Sequence, residues 1–223
     1  MVARLAASHP GLRIDVTHGD PRAMVDSLLA GRLDLAVVDV SVAEGDDRVM
    51  AEPLPVHPAC FYCRAAHPLL AEADPSPERI LEFPYVGIRL PPRIARHFLA
   101  VAKAGSIDPD TGNYVPRLKV DTLSMAREVV LASDAVTGGR RRPFSDDVRA
   151  GRLARLRVAA PWARTAYGFV TRRDAALSPA AEAFKDEMRV IEAELATTSE
   201  AWLRGQGRTA EKSGARQRQT ATG

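Results

Sequence analysis

The sequence predicts an α/β fold with mainly parallel sheets. Segments that alternate apolar and polar residues, or that are short apolar runs, alternate along the chain with segments of helical periodicity. The run Leu33–Val38 is almost continuously apolar and has the length of a strand that is covered on both faces. Prolines preceded by cap residues stand just before several helical segments. These three observations favour sheets flanked by helices.

The first predicted unit runs from residue 12 to residue 38. Residues 12–16 alternate apolar and polar side chains, which indicates a strand. Asp20 then supplies an N-cap and Pro21 the first helical position, and an apolar stripe follows until Gly31 ends the helix. With the strand at 33–38, the order strand, helix, strand predicts a βαβ unit.

The remaining elements follow the same signals. Strands are predicted at residues 59–64, 84–89, 118–120, 134–137 and 167–171. Helices are predicted from Pro77 to Leu81, from Pro92 to Gly105, after the cap residue Asp121, from the cap residue Ser145 to Gly151, and from Pro179 through Leu195 towards Trp202.

Composition is that of a globular protein. The 223 residues are 46% hydrophobic and 26% charged, and a chain of this length can bury a sizeable core. No stretch approaches the roughly 20 apolar residues of a membrane helix, and no charged-then-apolar leader begins the sequence. We therefore expect a cytoplasmic protein that does not associate with membranes.

The positive charge is concentrated at the C-terminus. Residues 204–223 contain five basic side chains and one acidic one. The whole chain has a net charge of +3, but the rest of the chain contains 26 basic and 27 acidic residues. The tail is poor in apolar residues, and we expect it to be disordered. The body is not basic enough to favour nucleic-acid binding on its own.

Two clusters have alternative interpretations. His57, Cys60, Cys63 and His67 have a spacing that resembles a zinc or redox site, but positions 60 and 63 of a strand point to opposite faces, which favours structural thiols. The run 140–142 is three arginines, which either bind a phosphate or form a solvated surface; the second is favoured. No G-x-S-x-G, H-E-x-x-H, Walker or dinucleotide-binding motif occurs, so we predict no catalytic residue, no metal, no cofactor and no enzyme.

Five stretches form one further pattern along the chain. They are His9–Val16 with Gly19-Asp20, Leu28–Val38, Arg64–Leu69, Ala150–Leu153 and Arg172–Ala181. In this order, over about residues 4–195, they resemble the effector-binding domain of LysR-type transcriptional regulators. The resemblance implies transcription regulation by a small-molecule effector that binds in a cleft between two lobes.

The implied fold is the two-lobed type 2 periplasmic-binding-protein fold. Two crossover strands would join the lobes, at about Cys60–Arg64 and Gly168–Thr171. Lobe one would then contain residues 1–61 and 170–203, without the first strand of the family, and lobe two residues 62–169. That first strand normally lies between the strands expected at 12–16 and 33–38.

The resemblance also implies effector-binding residues on both lobes. On lobe one they are Thr17, Gly19, Asp20, Asp39 and Ser41. On lobe two they are Ile88, Arg89, Leu90, Arg93, Asp121, Thr122, Thr137 and Gly138. Helix N-termini with Arg89 or Arg93 nearby suit a carboxylate or another anion. Asp20 would repel an anion, and a plain N-cap role explains it equally well.

The implied partners are a small organic effector, including an anionic one, and further copies of the chain. Full-length relatives are expected to form homo-dimers or tetramers. DNA would be contacted only through the N-terminal winged helix-turn-helix domain, which does not precede the matching residues. The alternative function is that of a transporter's solute-binding protein, which has the same fold.

Overall fold

A computed structural model describes residues 1–88, 90–101, 106–108, 114–158 and 160–195. The helices are α1 (Val2–Ser8), α2 (Pro21–Leu29), α3 (Pro77–Ile80), α4 (Pro92–Val101), α5 (Leu123–Leu131), α6 (Ser145–Arg149) and α7 (residues 179–195). The strands are β1 (Ala36–Asp39), β2 (Val49–Pro53), β3 (His57–Pro58), β4 (Cys60–Arg64), β5 (Val86–Gly87), β6 (Ser106–Ile107), β7 (Tyr114–Val115), β8 (Leu118–Lys119), β9 (Thr137–Gly139), β10 (Leu153–Arg155), β11 (Arg164–Thr165) and β12 (Tyr167–Arg172). Helices and strands are interspersed throughout, which confirms the α/β class.

Lobe one is built on a three-stranded sheet in the order β1-β12-β2. Both outer strands run antiparallel to β12, which comes from the far end of the sequence. Val38, Val49 and Val170 of this sheet pack against Val25 and Leu28 of α2. One layer therefore joins the beginning and the end of the described chain.

Helix α2 begins and ends as its local sequence predicts. The Asp20 carboxylate accepts hydrogen bonds from two backbone N–H groups of the first turn, and Pro21 occupies the first helical position. The chain leaves the helix through Gly31, whose φ of +70° lies in the left-handed region that favours glycine.

The predicted strand at 12–16 is wrong. Residues 12–20 have no regular secondary structure, and Val16 is 65% exposed. The predicted strand at 33–38 forms as β1, three residues later, and β1 pairs only with β12 within the described residues. An extended segment with no neighbouring ladder lacks the hydrogen bonds that define a strand.

Lobe two contains a sheet in the order β10-β4-β9 and the pair β5-β8. Phe61 and Cys63 on one face of β4 pack in a cluster with Ile94 and Phe98 of α4. Tyr62 on the opposite face packs in the cluster of α5. Helices therefore cover both faces of the central strand β4.

Strands β3 and β11 form a short antiparallel ribbon, with His57 opposite Thr165. Within the described residues, Cys60–Arg64 pairs in the lobe-two sheet and Gly168–Thr171 in the lobe-one sheet. We therefore propose that the chain crosses between the lobes a few residues earlier on each pass, at β3 and β11.

Strand pairing differs from the expectation of mainly parallel sheets. Of the seven ladders within the described residues, six are antiparallel, and β5-β8 is parallel. An isolated parallel bridge also joins Tyr85 and Val136. A crossover helix makes consecutive strands parallel, but β12 reaches its sheet from the other lobe and enters in the opposite direction.

Two helix starts also differ from the prediction. Thr122, rather than Asp121, caps α5, and its hydroxyl accepts a hydrogen bond from the Met125 N–H at 3.2 Å. Ser145 is the first residue of α6 rather than its cap, and its hydroxyl donates to the Arg142 carbonyl at 3.0 Å. In both cases the cap lies within one residue of the predicted position.

Some expectations fall on residues outside the described ranges. They concern the tail 204–223, the helix end at Gly105 and the side chain of Trp202. Among the helices of the described ranges, none has the length and apolar character required to cross a membrane.

A buried carboxylate fixes α6 in lobe two. Asp147 is 1% exposed and accepts hydrogen bonds from the guanidinium groups of Arg127, at 2.8 Å, and of Arg152, at 2.7 Å. The hydrogen bonds from Arg127 lower the pKa of Asp147 below its ordinary value of 3.8, and Arg152 adds to this effect. Asp147 therefore anchors the segment that follows Arg140–Arg142.

We expect Asp147→Asn to lower the free energy of unfolding by about 2 kcal/mol at neutral pH, because it weakens hydrogen bonds between charged groups. The folded-state pKa is depressed, so this stabilisation is present above about pH 4 and is lost as the pH falls through the folded-state value. Urea denaturation from acidic to neutral pH should show the two proteins converging in acid. The exposed neighbour provides the control, Asp146→Asn, and a pH-independent difference for Asp147→Asn would contradict the assignment.

Candidate functional site

A cavity of about 1170 Å³ lies between the two lobes. Lobe one contributes Asp39 and Tyr167 from its sheet and one face of α7, while lobe two contributes parts of β4, α4 and the end of β9. His57 and Thr165 of the β3-β11 ribbon also line it. Both lobes and their connection therefore contact anything bound there.

Aromatic side chains form the lobe-two wall of the cavity. The ring of Phe98 has its centroid 6.2 Å from that of Phe61 and 5.7 Å from that of Trp162. The indole of Trp162 stacks on His97 with an interplanar angle of 15°. Ile94 and Leu90 continue this wall beside the rings. The surface is broad and apolar.

Helix α7 supplies a second apolar wall. Met188, Ile191 and Leu195 line the cavity, and their spacing of three and four residues places them on one helix face. This wall belongs to lobe one, and the aromatic wall belongs to lobe two. The interior of the cavity is consequently apolar on two sides.

Arginines line the cavity near the start of β4. Strand β4 lies between β9 and β10, with Cys60 opposite Gly139 and Tyr62 opposite Arg155. Arg140, Arg141 and Arg142 follow β9 directly, so these arginines and Arg155 approach β4 from its two sides. The described lining contains these four arginines and two carboxylates, Asp39 and Glu192. Its fixed charge is therefore positive.

One ion pair connects the lobes through Asp39. The carboxylate is 2% exposed and accepts a hydrogen bond from Arg93 of α4 at 3.1 Å. Its other oxygen accepts from the hydroxyl of Ser41 at 2.6 Å and from the Ser41 N–H at 3.2 Å. Asp39 is thus neutralised by a cation from the opposite lobe.

A second connection centres on Glu192 of α7, which is 3% exposed. Its carboxylate accepts hydrogen bonds from Arg140 of lobe two at 2.9 and 3.1 Å, and it contacts Nε2 of His57 on β3. One buried carboxylate therefore joins α7, the connecting ribbon and lobe two.

Two tyrosines present protonated hydroxyl groups at the site. Burial raises the pKa of Tyr167, and the nearby Asp39 carboxylate raises it further, against the opposing influence of Arg140 and Arg93. Burial also raises the pKa of Tyr85. A Cβ on Gly138 would lie 2.8 Å from the Tyr85 hydroxyl oxygen, so glycine at this position permits the close approach of that ring. Both phenols can act as hydrogen-bond donors at neutral pH.

The effector-binding residues that the resemblance implies divide into those at the cavity and those away from it. Asp39, Ile88, Leu90 and Gly138 line the cavity, and Arg93 and Ser41 contact Asp39. The described lining does not include Thr17, Gly19, Asp20, Asp121, Thr122 or Thr137. Arg89 lies outside the described residues.

The positions of the second group have local explanations. Thr17 and Gly19 belong to the exposed, irregular segment 12–20, while Asp20 and Thr122 are helix caps. Thr137 is fully buried beside Tyr62, and its hydroxyl has no hydrogen-bond partner among the described residues. These residues therefore lie outside the described cavity lining, and their contact with an effector stays a prediction.

Several cavity residues were not anticipated from the sequence. The arginine run 140–142 contributes to the cavity lining, although Arg142 is at the same time exposed, as the interpretation of a solvated surface predicts. Trp162 and the α7 face were not assigned to a site at all. One signal was available for Glu192, because an acidic residue interrupts the apolar stripe between Met188 and Leu195.

The cysteines behave as structural groups. Cys60 lies in the cluster that packs on α5, and Cys63 lies in the cluster on the opposite face of β4. Burial raises the pKa of Cys63 to about 12, which disfavours the reactive thiolate. His67 accepts a hydrogen bond from the Leu69 N–H at 3.1 Å and contacts the Asp134 carbonyl. His57, Cys60, Cys63 and His67 therefore do not converge on one point, within the part of the chain that the structure describes.

Comparison with known proteins gives consistent results. Residues 1–190 match the model of the LysR substrate binding domain family. The SDS degradation transcriptional activation protein of Pseudomonas sp. (strain ATCC 19151) is 29% identical over 188 residues, which are 82% of this chain and 59% of that protein. The chain thus spans little more than half the length of this relative.

Solved structures with the same fold are more distant in sequence. A double cysteine mutant of the regulatory domain of MetR, a LysR family regulator from N. meningitidis, superposes with a TM-score of 0.62 at 17% identity, covering 84% of each chain. The effector binding domain of QuiR in complex with shikimate gives 0.61 at 17% identity, covering 86% of this chain and 88% of that one. The likeness confirms the two-lobed architecture, and the family match over most of the sequence shows that the chain belongs to the LysR substrate binding domain family.

Proposed function

We propose that this chain senses a small organic effector in the inter-lobe cavity and thereby regulates transcription. The observation that carries the proposal is the cavity itself, which is lined by both lobes and by the ribbon between them. A ligand in contact with both lobes binds one relative arrangement of the lobes better than others, and so shifts the population towards it. Such a shift is what a regulator needs to transmit.

The relatives support the same conclusion. The similar Pseudomonas protein is named as a transcriptional activator, and the QuiR domain is described in complex with shikimate, a small organic acid. In the proposed site, Asp39, Ile88, Leu90, Arg93 and Gly138 contact the effector from both lobes. The alternative of a transporter's solute-binding protein has no support from the family or from these relatives, and nothing in the site favours an enzyme.

The proposal extends to partners and location. We infer that the regulator acts in the cytoplasm as a homo-dimer or tetramer, and that a winged helix-turn-helix domain of the whole protein contacts DNA. The described chain contributes effector sensing. A reporter gene under control of the whole regulator should respond to the effector, and the response should disappear when the cavity is filled by a bulky substitution.

Binding of an effector should raise the melting temperature. Ligand at 100 times its Kd stabilises the folded state by about 2.7 kcal/mol, which corresponds to roughly 5–10 °C for a chain of this size. Screening small organic acids by thermal shift, followed by hydrogen exchange of the best binder, measures this effect. Protection should appear in both lobes, at residues 57–61 and 188–195.

The pattern of protection distinguishes the proposed site from surface binding. A ligand that protects only one lobe, or protects amides far from the cavity, would argue against effector sensing between the lobes. The same would follow if no compound of a chemically diverse set stabilised the chain.

A further inference from the structure

We infer that the effector is an uncharged, largely apolar molecule that carries an oxygen able to accept a hydrogen bond. This inference rests on the proposed function and adds the chemical class of the ligand. It combines three features of the cavity: its apolar walls, the pairing of its charged groups within the protein, and the hydrogen-bond donors on its lobe-one side.

The walls of the cavity favour a ligand that is itself mainly apolar. The volume of about 1170 Å³ exceeds the roughly 300–1,000 Å³ of common ligand sites. Phe98 and Trp162 line one side, while Met188 and Ile191 line the side formed by α7. A compact, heavily hydroxylated molecule would leave this apolar surface in contact with water, whereas aromatic rings between the walls would cover it.

The buried carboxylates of the cavity are neutralised by cations of the protein itself. Asp39 accepts a hydrogen bond from Arg93 at 3.1 Å, and Glu192 accepts one from Arg140 at 2.9 Å. Each pair joins the two lobes. An anionic ligand would compete with Asp39 for Arg93 or with Glu192 for Arg140, and would leave a carboxylate buried without its partner, which is costly.

The other arginines of the described lining offer no better partner for an anion. Arg141 and Arg155 interact with other groups of the chain, and Arg142 is exposed. The charge of an exposed guanidinium is hydrated and screened by salt. A carboxylate that entered the cavity would therefore lose its hydration without a cation of its own to compensate for the loss. A neutral molecule avoids this cost.

Hydrogen-bond donors lie together on the lobe-one side of the cavity. Tyr167 lines the cavity, and burial and the nearby Asp39 carboxylate raise its pKa, so its hydroxyl is a donor at neutral pH. Arg93 is close enough to influence the same pKa, and its Nε is buried without a hydrogen-bond partner among the described residues. Because Asp39 already balances the charge of Arg93, the complement of these donors is a neutral oxygen.

Calorimetric titration of the chain with naphthalenes of nearly equal shape tests the charge of the ligand. 2-Acetonaphthone is neutral and has an accepting carbonyl oxygen, and 2-naphthoate carries a carboxylate in place of the acetyl group. One molecule of the ketone should bind per chain, about tenfold or more tightly than the carboxylate, because only the carboxylate loses the hydration of a charge.

A smaller ketone and a filled cavity test the apolar contact. Acetophenone, which lacks the second ring, should bind about five- to tenfold more weakly than 2-acetonaphthone, because it buries less apolar surface. Ala160 lines the cavity, and Ala160→Trp should weaken the binding of 2-acetonaphthone by about tenfold or more, because the indole occupies part of the space.

The substitution Tyr167→Phe tests the hydrogen bond. It should weaken the binding of 2-acetonaphthone by about fivefold, and it should change the binding of 2-ethylnaphthalene, which has no oxygen, by less than about twofold. Tyr114→Phe is the matched control, because Tyr114 is also buried, at 4% exposure, and is not among the described residues that line the cavity. This control should leave the affinity for both molecules unchanged.

The outcomes separate this inference from the proposed function. If 2-naphthoate binds between the lobes as tightly as 2-acetonaphthone, effector sensing stands and the uncharged class is wrong. If a compact acid such as shikimate binds there and no naphthalene does, the apolar class is wrong. If Tyr167→Phe affects the ketone no more than the hydrocarbon, the accepting oxygen is wrong. If no ligand of any class binds, both proposals fail.

Discussion

Replacement of Gly168 by alanine is expected to lower the free energy of unfolding by about 3 kcal/mol and the melting temperature by roughly 6–12 °C. Gly168 lies on β12, between β1 and β2. A Cβ there would lie 2.5 Å from the Glu52 carbonyl oxygen and 3.0 Å from Cα of Pro53, and it would also collide with Val40. Two of these three obstacles are backbone atoms in a ladder, which cannot move without loss of hydrogen bonds.

Gly11→Ala provides a matched control for this prediction. It adds the same methyl group, but nothing lies within 4 Å of the Cβ position at Gly11. We expect its unfolding free energy to change by less than about 0.5 kcal/mol. Chemical denaturation of the unsubstituted chain and of both variants measures the free energies of unfolding. Equal stability of Gly168→Ala and Gly11→Ala would show that the sheet can accommodate a side chain beside Glu52.

The helices of this fold are well predicted because their signals are local. Asp20 and Pro21 specify the start of α2 by hydrogen bonding within one turn and by a fixed φ angle. The Ser178 hydroxyl likewise accepts a hydrogen bond from the Ala181 N–H at 3.2 Å at the start of α7. Such interactions depend on neighbours in sequence, so they can be inferred without knowledge of the tertiary structure.

Strand pairing is poorly predicted because it depends on distant segments. The alternation at 12–16 is a sound strand pattern, but no described ladder accepts this segment. Strand β12 enters the lobe-one sheet after the chain has passed through the whole of lobe two, and it sets the antiparallel direction of its neighbours. A pattern of alternating residues contains no information about such a partner.

The site was predictable only in part for the same reason. Asp39 ends β1 and Gly138 lies next to the last residue of β9, near the strand ends where α/β folds bind ligands, and both line the cavity. Arg140 gives no such signal, since its significance arises from Glu192, 52 residues further along the chain. Trp162 similarly acquires its role by packing on Phe98 across the lobe.

Replacement of Glu192 by alanine is expected to lower the free energy of unfolding by about 3 kcal/mol. Removal of one member of a buried ion pair leaves its partner without compensation, at a cost of roughly 3–5 kcal/mol. The lower end of this range applies because the side chain of Arg140 is 27% exposed and regains some hydration. Glu192→Gln preserves the shape and part of the hydrogen bonding, so we expect a smaller loss than for alanine.

The same substitution should loosen the connection between the lobes, because Glu192 joins α7 to β3 and to lobe two. Amide exchange at 57–58 and 164–165 should accelerate more than the change in global stability requires. The control is Glu194→Ala on the same helix, since its surface ion pair with Arg4 is worth at most about 1 kcal/mol. If Glu192→Ala and Glu194→Ala have the same stability and the same exchange in the ribbon, Glu192 does not hold the lobes together. If exchange rises in the ribbon for Glu192→Ala alone, the buried carboxylate controls how freely the two walls of the cavity move.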